Sequence, residues 1–106
     1  MKTVVYKAKG ELSGTVTVEI PSQKQRMEML KECNFHMENG ELDGIANLDG
    51  MLKMYEHLPK FIKKVCVKNT EGIEVKSFDK LANDSDYDTV CNDLIIIIIG
   101  GGLGES

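Results

Sequence analysis

The chain has 106 residues, a formal charge of −4 and 42% apolar residues, the size and balance of one domain with a modest core. Net acidity, no Trp and only three Tyr and three Phe argue against a nucleic-acid binder, which needs clustered cations or stacking rings. No apolar run approaches the roughly 20 residues of a membrane helix, and the opening MKTVVYKAKGEL lacks the apolar core of a secretion signal; three widely spaced cysteines, Cys33, Cys66 and Cys91, suit free thiols in a reducing cytosol better than a disulfide framework.

Thr3 to Ala8 and Thr15 to Ile20 alternate apolar and polar residues with period two, which predicts two half-buried strands joined by the KGELSG connection as a hairpin. Pro21 stops the second strand. Ser22 and Gln25 then form the S-x-x-Q pattern of a capping box, and a charged helix follows with a narrow stripe of Met27, Leu30 and Cys33, ending near Phe35. HMENGELDG reads as an acidic loop. The string GEL-x-G occurs at 10–14 and again at 40–44, too short a match to argue duplication.

A second helix is expected from Leu48 or Gly50 through MLKMYEHL, because Leu48, Met51, Leu52, Tyr55 and Leu58 recur at three- and four-residue intervals. Pro59 either kinks it or opens a short helix containing Phe61 and Ile62. Val65 and Val67, a turn at 69–72, then Ile73 and Val75 predict a second hairpin. Ser77 is placed to cap a helical turn through Leu81, and an acidic loop over 83–88 leads to the last segment. The order is β-β-α-α-β-β-α: one α+β domain over residues 1–99, helices on one face of an antiparallel sheet, with 100–106 as a flexible Gly-rich tail.

Sites of chemistry are sparse. Asp84, Asp86 and Asp88 imitate the start of a calcium loop, but its sixth and twelfth positions are Thr89 and Ile95 instead of Gly and Glu; a solvated loop that caps the next helix is the simpler reading. Cys33 and His36 have half the spacing of a metal site, with no second half. There is no P-loop, G-x-S-x-G or H-E-x-x-H, and GGGLG has no helix behind it to receive a phosphate. The expectation is therefore no catalytic residue, no metal and no cofactor. Lys60, Lys63, Lys64 and Lys68 form one basic cluster, either a meeting point for an acidic partner or a helix end and strand edge decorated with lysine.

The chain closes on DLIIIIIGGGLGES. At about 100° per residue, Tyr87, Val90, Cys91, Leu94 and Ile98 share a stripe flanked by Ile95 and Ile97. Asp88, Thr89, Asn92 and Asp93 take the other side, where Ile96 and Ile99 also fall. Isoleucine favours a strand; the periodicity reaching back to Tyr87 favours a helix, and a helix is expected. It leaves Ile96 and Ile99 without a core to enter, and two exposed isoleucines call for a second copy or a partner. Ile95, Ile96, Ile99 and Leu103 are the protein-contact candidates, with Met51 and Met54, since methionine adapts to varied apolar surfaces when it is not simply filling the core.

Two long stretches carry a resemblance. VTVEIPSQKQRMEMLKECNF is similar to the strand, proline and charged helix that open small tail assembly chaperones of long-tailed (siphovirus-type) phages and prophages. VKNTEGIEVKSFDKLANDSDYDTVCNDLI resembles their second half: a hairpin, a K-S-F-D-x-L turn, an acidic D-x-D stretch and a last apolar helix. The likeness implies a non-enzymatic protein of the bacterial cytoplasm that oligomerises, binds the apolar tape-measure protein while tail tube protein polymerises around it, and is absent from the finished particle. It also implies a longer product made by a frameshift, for which the codons of Gly100-Gly101-Gly102 leave room. Five consecutive isoleucines depart from the mixed small and apolar residues of the relatives' final helix. Two other classes fit the same sequence: a small phage or bacterial regulator acting through its acidic face, and a minor virion component such as a connector or tail subunit.

Overall fold

Four strands form an antiparallel sheet in the order β1-β2-β5-β6. The computed structural model describes residues 2–33, 36–38, 41–43 and 48–100. β1 (Lys2–Lys7) and β2 (Ser13–Ile20) pair with Val4 opposite Val18 and Tyr6 opposite Val16, all four buried. Residues directly opposite in a ladder share a face, so the alternation read from sequence becomes one apolar face and one open face. Gly14 is needed at the start of β2. Its φ is +101°, and a Cβ there would lie 2.0 Å from the Cys66 carbonyl oxygen.

β5 (Ile62–Lys68) pairs antiparallel with β2, but the register shifts: Thr17 faces Lys64, while Val18 faces Ile62. Lys63 is thus the extra residue of a β-bulge. The bulge resets the alternation, leaving Lys63 and Lys64 both outward and Ile62 and Val65 both toward the core. β6 (Glu74–Val75) is short and pairs only through Val67 with Val75 and Lys68 with Glu74. Ile73, expected in that strand, is exposed in the turn; the Asn69 side-chain oxygen accepts from the Glu71 and Ile73 N–H groups, and Gly72 takes φ +78°.

The capping box is formed as read: the Ser22 Oγ accepts from Gln25 N at 3.2 Å, and the Gln25 Oε1 accepts from Ser22 N at 3.0 Å. The helix it opens, α1 (Gln23–Cys33), turns a different stripe inward. Met29 and Cys33 are buried and Leu30 is half-buried, whereas Met27 is 61% exposed. The buried set continues the three- and four-residue spacing backward to half-buried Arg26, whose Nη1 donates to the Pro21 carbonyl at 2.8 Å, and not to Met27.

The segment expected to be an acidic loop contains a small hairpin, β3 (His36–Glu38) with β4 (Glu41–Asp43). Asn39-Gly40 stands between them in the sequence, a pair that favours tight hairpins; each strand has a single apolar residue, Met37 or Leu42, too few for a period to show. α2 (Leu48–His57) follows and ends in a 3-10 turn, Leu58–Lys60, with Pro59 at its start. Phe61 closes that turn and Ile62 begins β5, so the proline ends the helix and opens no helix through Phe61 and Ile62. Ser77 accepts from Lys80 N at 3.3 Å to cap α3 (Phe78–Ala82). Asp84 likewise caps a 3-10 turn, Ser85–Tyr87, through Asp86 N at 3.0 Å.

α4 (Asp88–Ile99) resolves the isoleucine block as a helix, ended by Gly100, whose N–H reaches the Ile96 carbonyl at 2.8 Å. It packs on β2 and against α3 and α1. Val90, Cys91, Leu94, Ile95, Ile97, Ile98 and Ile99 are all buried. Fold class and arrangement are those expected: one α+β domain with helices on the inner face of an antiparallel sheet. The surplus on α4 is one isoleucine, not two, because Ile99 is only 8% exposed. It lies about 20° from exposed Asn92 around the helix axis, so its angle is that of a surface residue. Position along the axis, two turns further on, separates them. Residues 101–106 of the Gly-rich tail, including Leu103, lie outside the described residues.

Candidate partner-binding surface

The five contact candidates among the described residues do not form one surface. Ile96 is 52% exposed, Met51 is half-buried against the core, and Ile95, Ile99 and Met54 are buried, Met54 completely. Leu103 lies outside the described residues. Methionine as core filler is the reading that fits Met54, Met29 and the half-buried Met51.

The larger apolar opening lies elsewhere. A trough of about 940 Å³ runs between α2, the first half of β5 and α3. Leu52, Tyr55 and Pro59 line it from the α2 side, Ile62 and Val65 from β5, and Phe78 and Ala82 from α3. Each is there for a local reason. Leu52 and Tyr55 are one helical turn apart; the bulge turns Ile62 and Val65 to the same side; Ser77 starts α3 so that Phe78 and Ala82, four apart, align. The rings of Tyr55 and Phe78 stack at 6.2 Å with planes 24° apart, joining the two helical walls. Leu52 is 66% exposed, a large apolar side chain at the lip.

Charged residues frame this floor. Lys63, Lys64 and Lys76 stand on the rim with Glu56 and Asp79. Residues 60–80 hold six lysines and three acidic residues in a chain whose net charge is −4, so this flank is opposite in sign to the rest. Lys63 pairs with Glu19 at 3.5 Å and donates to the Lys60 carbonyl at 3.3 Å. Sequence reasoning placed Leu52 and Tyr55 in a core stripe and missed that this edge of the stripe stays open. The available signal was width: six apolar positions over 48–58 exceed what one narrow seam needs.

Tyr6, Cys66, Cys91 and His57 have partners outside the trough. The Tyr6 hydroxyl donates to Asp93 Oδ2 at 2.5 Å, tying β1 to α4; burial first, then the Asp93 carboxylate, pushes the phenol well above its usual range. Burial pushes the Cys91 and Cys33 thiols up. Burial, followed by the charge of Cys91, raises Tyr55. The Cys66 thiol donates to Glu74 Oε1 at 2.7 Å on the open sheet face, which raises the thiol and lowers the carboxyl. A raised thiol is a poor nucleophile at neutral pH, and no disulfide joins the three cysteines. His57 Nε2 lies 3.1 Å from Glu32 Oε2. Among the described residues no three His, Cys, Asp or Glu side chains gather as a metal site, and the Asp84 carboxylate serves as a turn cap.

Compared with known protein families, curated proteins and solved structures, the chain finds no match. Among the described residues no helix is long and apolar enough to cross a membrane.

Proposed function

We propose that the chain is a tail assembly chaperone of a long-tailed phage or prophage: a non-enzymatic protein of the host cytoplasm that holds the tape-measure protein soluble while tail tube subunits assemble around it. The observation that carries this reading is the open apolar trough between α2, β5 and α3. A tape-measure protein is long, helical and apolar, and unassembled it exposes surface that aggregates. A chaperone for it needs a ready apolar surface on a stable frame, with charge around it to keep the complex dissolved. The trough supplies the first and the lysine-bearing rim the second. The likeness of the 16–35 and 67–95 stretches to such chaperones selects this client among apolar helices.

Ile96 supports self-association in the same reading. It is a single large side chain on an otherwise polar strip of α4, too little for a client and suited to a contact between copies.

Co-expression with the tape-measure protein encoded beside this chain tests the proposal. The tape-measure protein is expected to move into the soluble fraction and co-purify, and the chain to be missing from purified particles. Equal aggregation with and without the chain refutes the chaperone reading. Recovery of the chain from finished particles makes it a virion component instead. The codons of Gly100 to Gly102 offer a separate check, with a slippery heptamer and an overlapping reading frame expected there.

A further inference from the structure

We infer that the trough between α2, β5 and α3 is a docking groove for one amphipathic α-helix whose apolar face is flanked by carboxylates. The inference deepens the chaperone reading and rests on it only for the owner of that helix.

Three observations select this occupant. First, the floor is apolar and comes from three elements, with the stacked Tyr55 and Phe78 rings as a stiff wall and Leu52 at the lip. Small-molecule sites combine apolar walls with a few fixed polar groups that orient the ligand. The polar and charged lining residues, Lys63, Lys64, Lys76, Glu56, Asp79, Ser77 and Asn83, are all exposed at the rim, so the floor itself selects by shape and hydrophobicity.

Second, the rim carries a small excess of cations: Lys63, Lys64 and Lys76 stand there with Glu56 and Asp79, within a stretch of six lysines and three acidic residues over 60–80. Lys64 and Lys76 form no salt bridge among the described residues, and both are exposed. Carboxylates along a docked helix would meet them in the half-desolvated setting where such pairs steer binding and fix orientation.

Third, the backbone argues for a helix over a strand. β6 pairs only with Val67 and Lys68, so the Ile62–Cys66 edge that borders the trough has no strand partner on that side among the described residues. An extended peptide would add there. Yet this is where the bulge and the consecutive Lys63 and Lys64 fall, the devices by which sheets discourage strand addition. A helix satisfies its own backbone and asks the groove only for side-chain contact.

The test uses the full chain and two synthetic helical peptides. One carries leucines at i, i+3, i+4 and i+7 with glutamates on both flanks; its twin has lysines in place of the glutamates. Binding is read by fluorescence anisotropy and mapped by amide chemical shifts. The glutamate peptide is expected to bind, to move the resonances of Leu52, Tyr55, Val65 and Phe78, and to weaken as salt rises. The twin, and the variants Leu52→Asp and Lys64→Glu, are expected to bind about tenfold less tightly. Both altered residues are exposed, and circular dichroism verifies that the variants stay folded. Equal binding of the twins, no binding of either, shifts centred on Ile96, or a peptide bound in extended form along β5 overturns the inference. Tape-measure co-expression separates the two claims. If the wild-type chain solubilises that protein and both variants do so equally, the groove is wrong and the chaperone reading stands. If the wild-type chain does not, the chaperone reading fails while the peptide result stands alone.

Discussion

The α4 helix and the α2–α3 trough are both rich in large apolar residues, and they meet opposite fates. α4 carries five consecutive isoleucines and buries four of them. α2 carries an ordinary amphipathic pattern and leaves Leu52 two-thirds exposed at the lip of an open groove. Apolar density therefore does not say which segment is a surface. The number of sides from which an element is covered does. α4 is packed by the sheet and by neighbouring helices, so all of it is core except the strip of Asp88, Thr89, Asn92, Asp93 and Ile96. α2 lines an open trough with the first half of β5, and the two-residue β6 pairs only with Val67 and Lys68, leaving that half of β5 without a strand beside it among the described residues.

The sharpest way to break this contrast is to charge or hollow α4. Ile98→Ala is expected to destabilise the protein by about 2–5 kcal/mol, as buried large-to-small changes do. Ile99→Asp should cost at least as much, because it buries an unpaired carboxylate. Urea titration followed by circular dichroism measures both, and near-wild-type stability of Ile99→Asp would return that residue to the surface.

Next in size is the tie between β1 and α4. Tyr6→Phe leaves the Asp93 carboxylate without its phenol partner, and a hydrogen bond to a charged group is worth about 1.5–3 kcal/mol. The same pair sets an alkaline response. Tyr6 holds its proton more tightly folded than unfolded, so above the unfolded tyrosine value of about 10 the unfolded chain binds fewer protons than the native one. Stability from this group is therefore complete below that pH and is lost as pH rises through the folded value. Tyr6→Phe should flatten the alkaline decline measured by thermal unfolding between neutral pH and pH 11; an unchanged slope would show that Tyr6 does not contribute to it.

The smallest stability effects belong to the two exposed residues. Ile96→Asp and Leu52→Ala should each change stability by no more than about 0.5 kcal/mol. They part company in association: Ile96→Asp is expected to reduce the assembly size in light scattering, and Leu52→Ala to leave it unchanged. A wild-type chain that is already monomeric would remove the self-association role of Ile96.

Legibility followed the physics of each signal. The β1–β2 hairpin, the Ser22–Gln25 box and the Ser77 cap were readable because period-two alternation and capping are local. The β3–β4 hairpin was not, since three-residue strands with one apolar residue each, Met37 and Leu42, are too short to show a period. The stripe of α1 was misassigned to Met27 because Arg26 folds back on the Pro21 carbonyl, a contact that a count of apolar residues ignores. In the candidate site, Ile96 was legible by angle. Leu52 was not, because it shares the stripe of Met51, Tyr55 and Leu58, and only the packing of the neighbouring elements leaves it 66% exposed.

The sequence by itself determined the alternating strands, the capped helices and the want of any known catalytic motif, because these depend on residues within a few positions of one another; for the isoleucine block it set β-branching against periodicity, and the structure shows the helix. Tertiary structure alone decided that Ile99 is core and Leu52 is surface, that a bulge turns Lys63 and Lys64 outward together, and that an apolar groove lies between α2, β5 and α3. Those outcomes depend on which elements become neighbours, and a helical or strand period specifies an angle without specifying what stands opposite it.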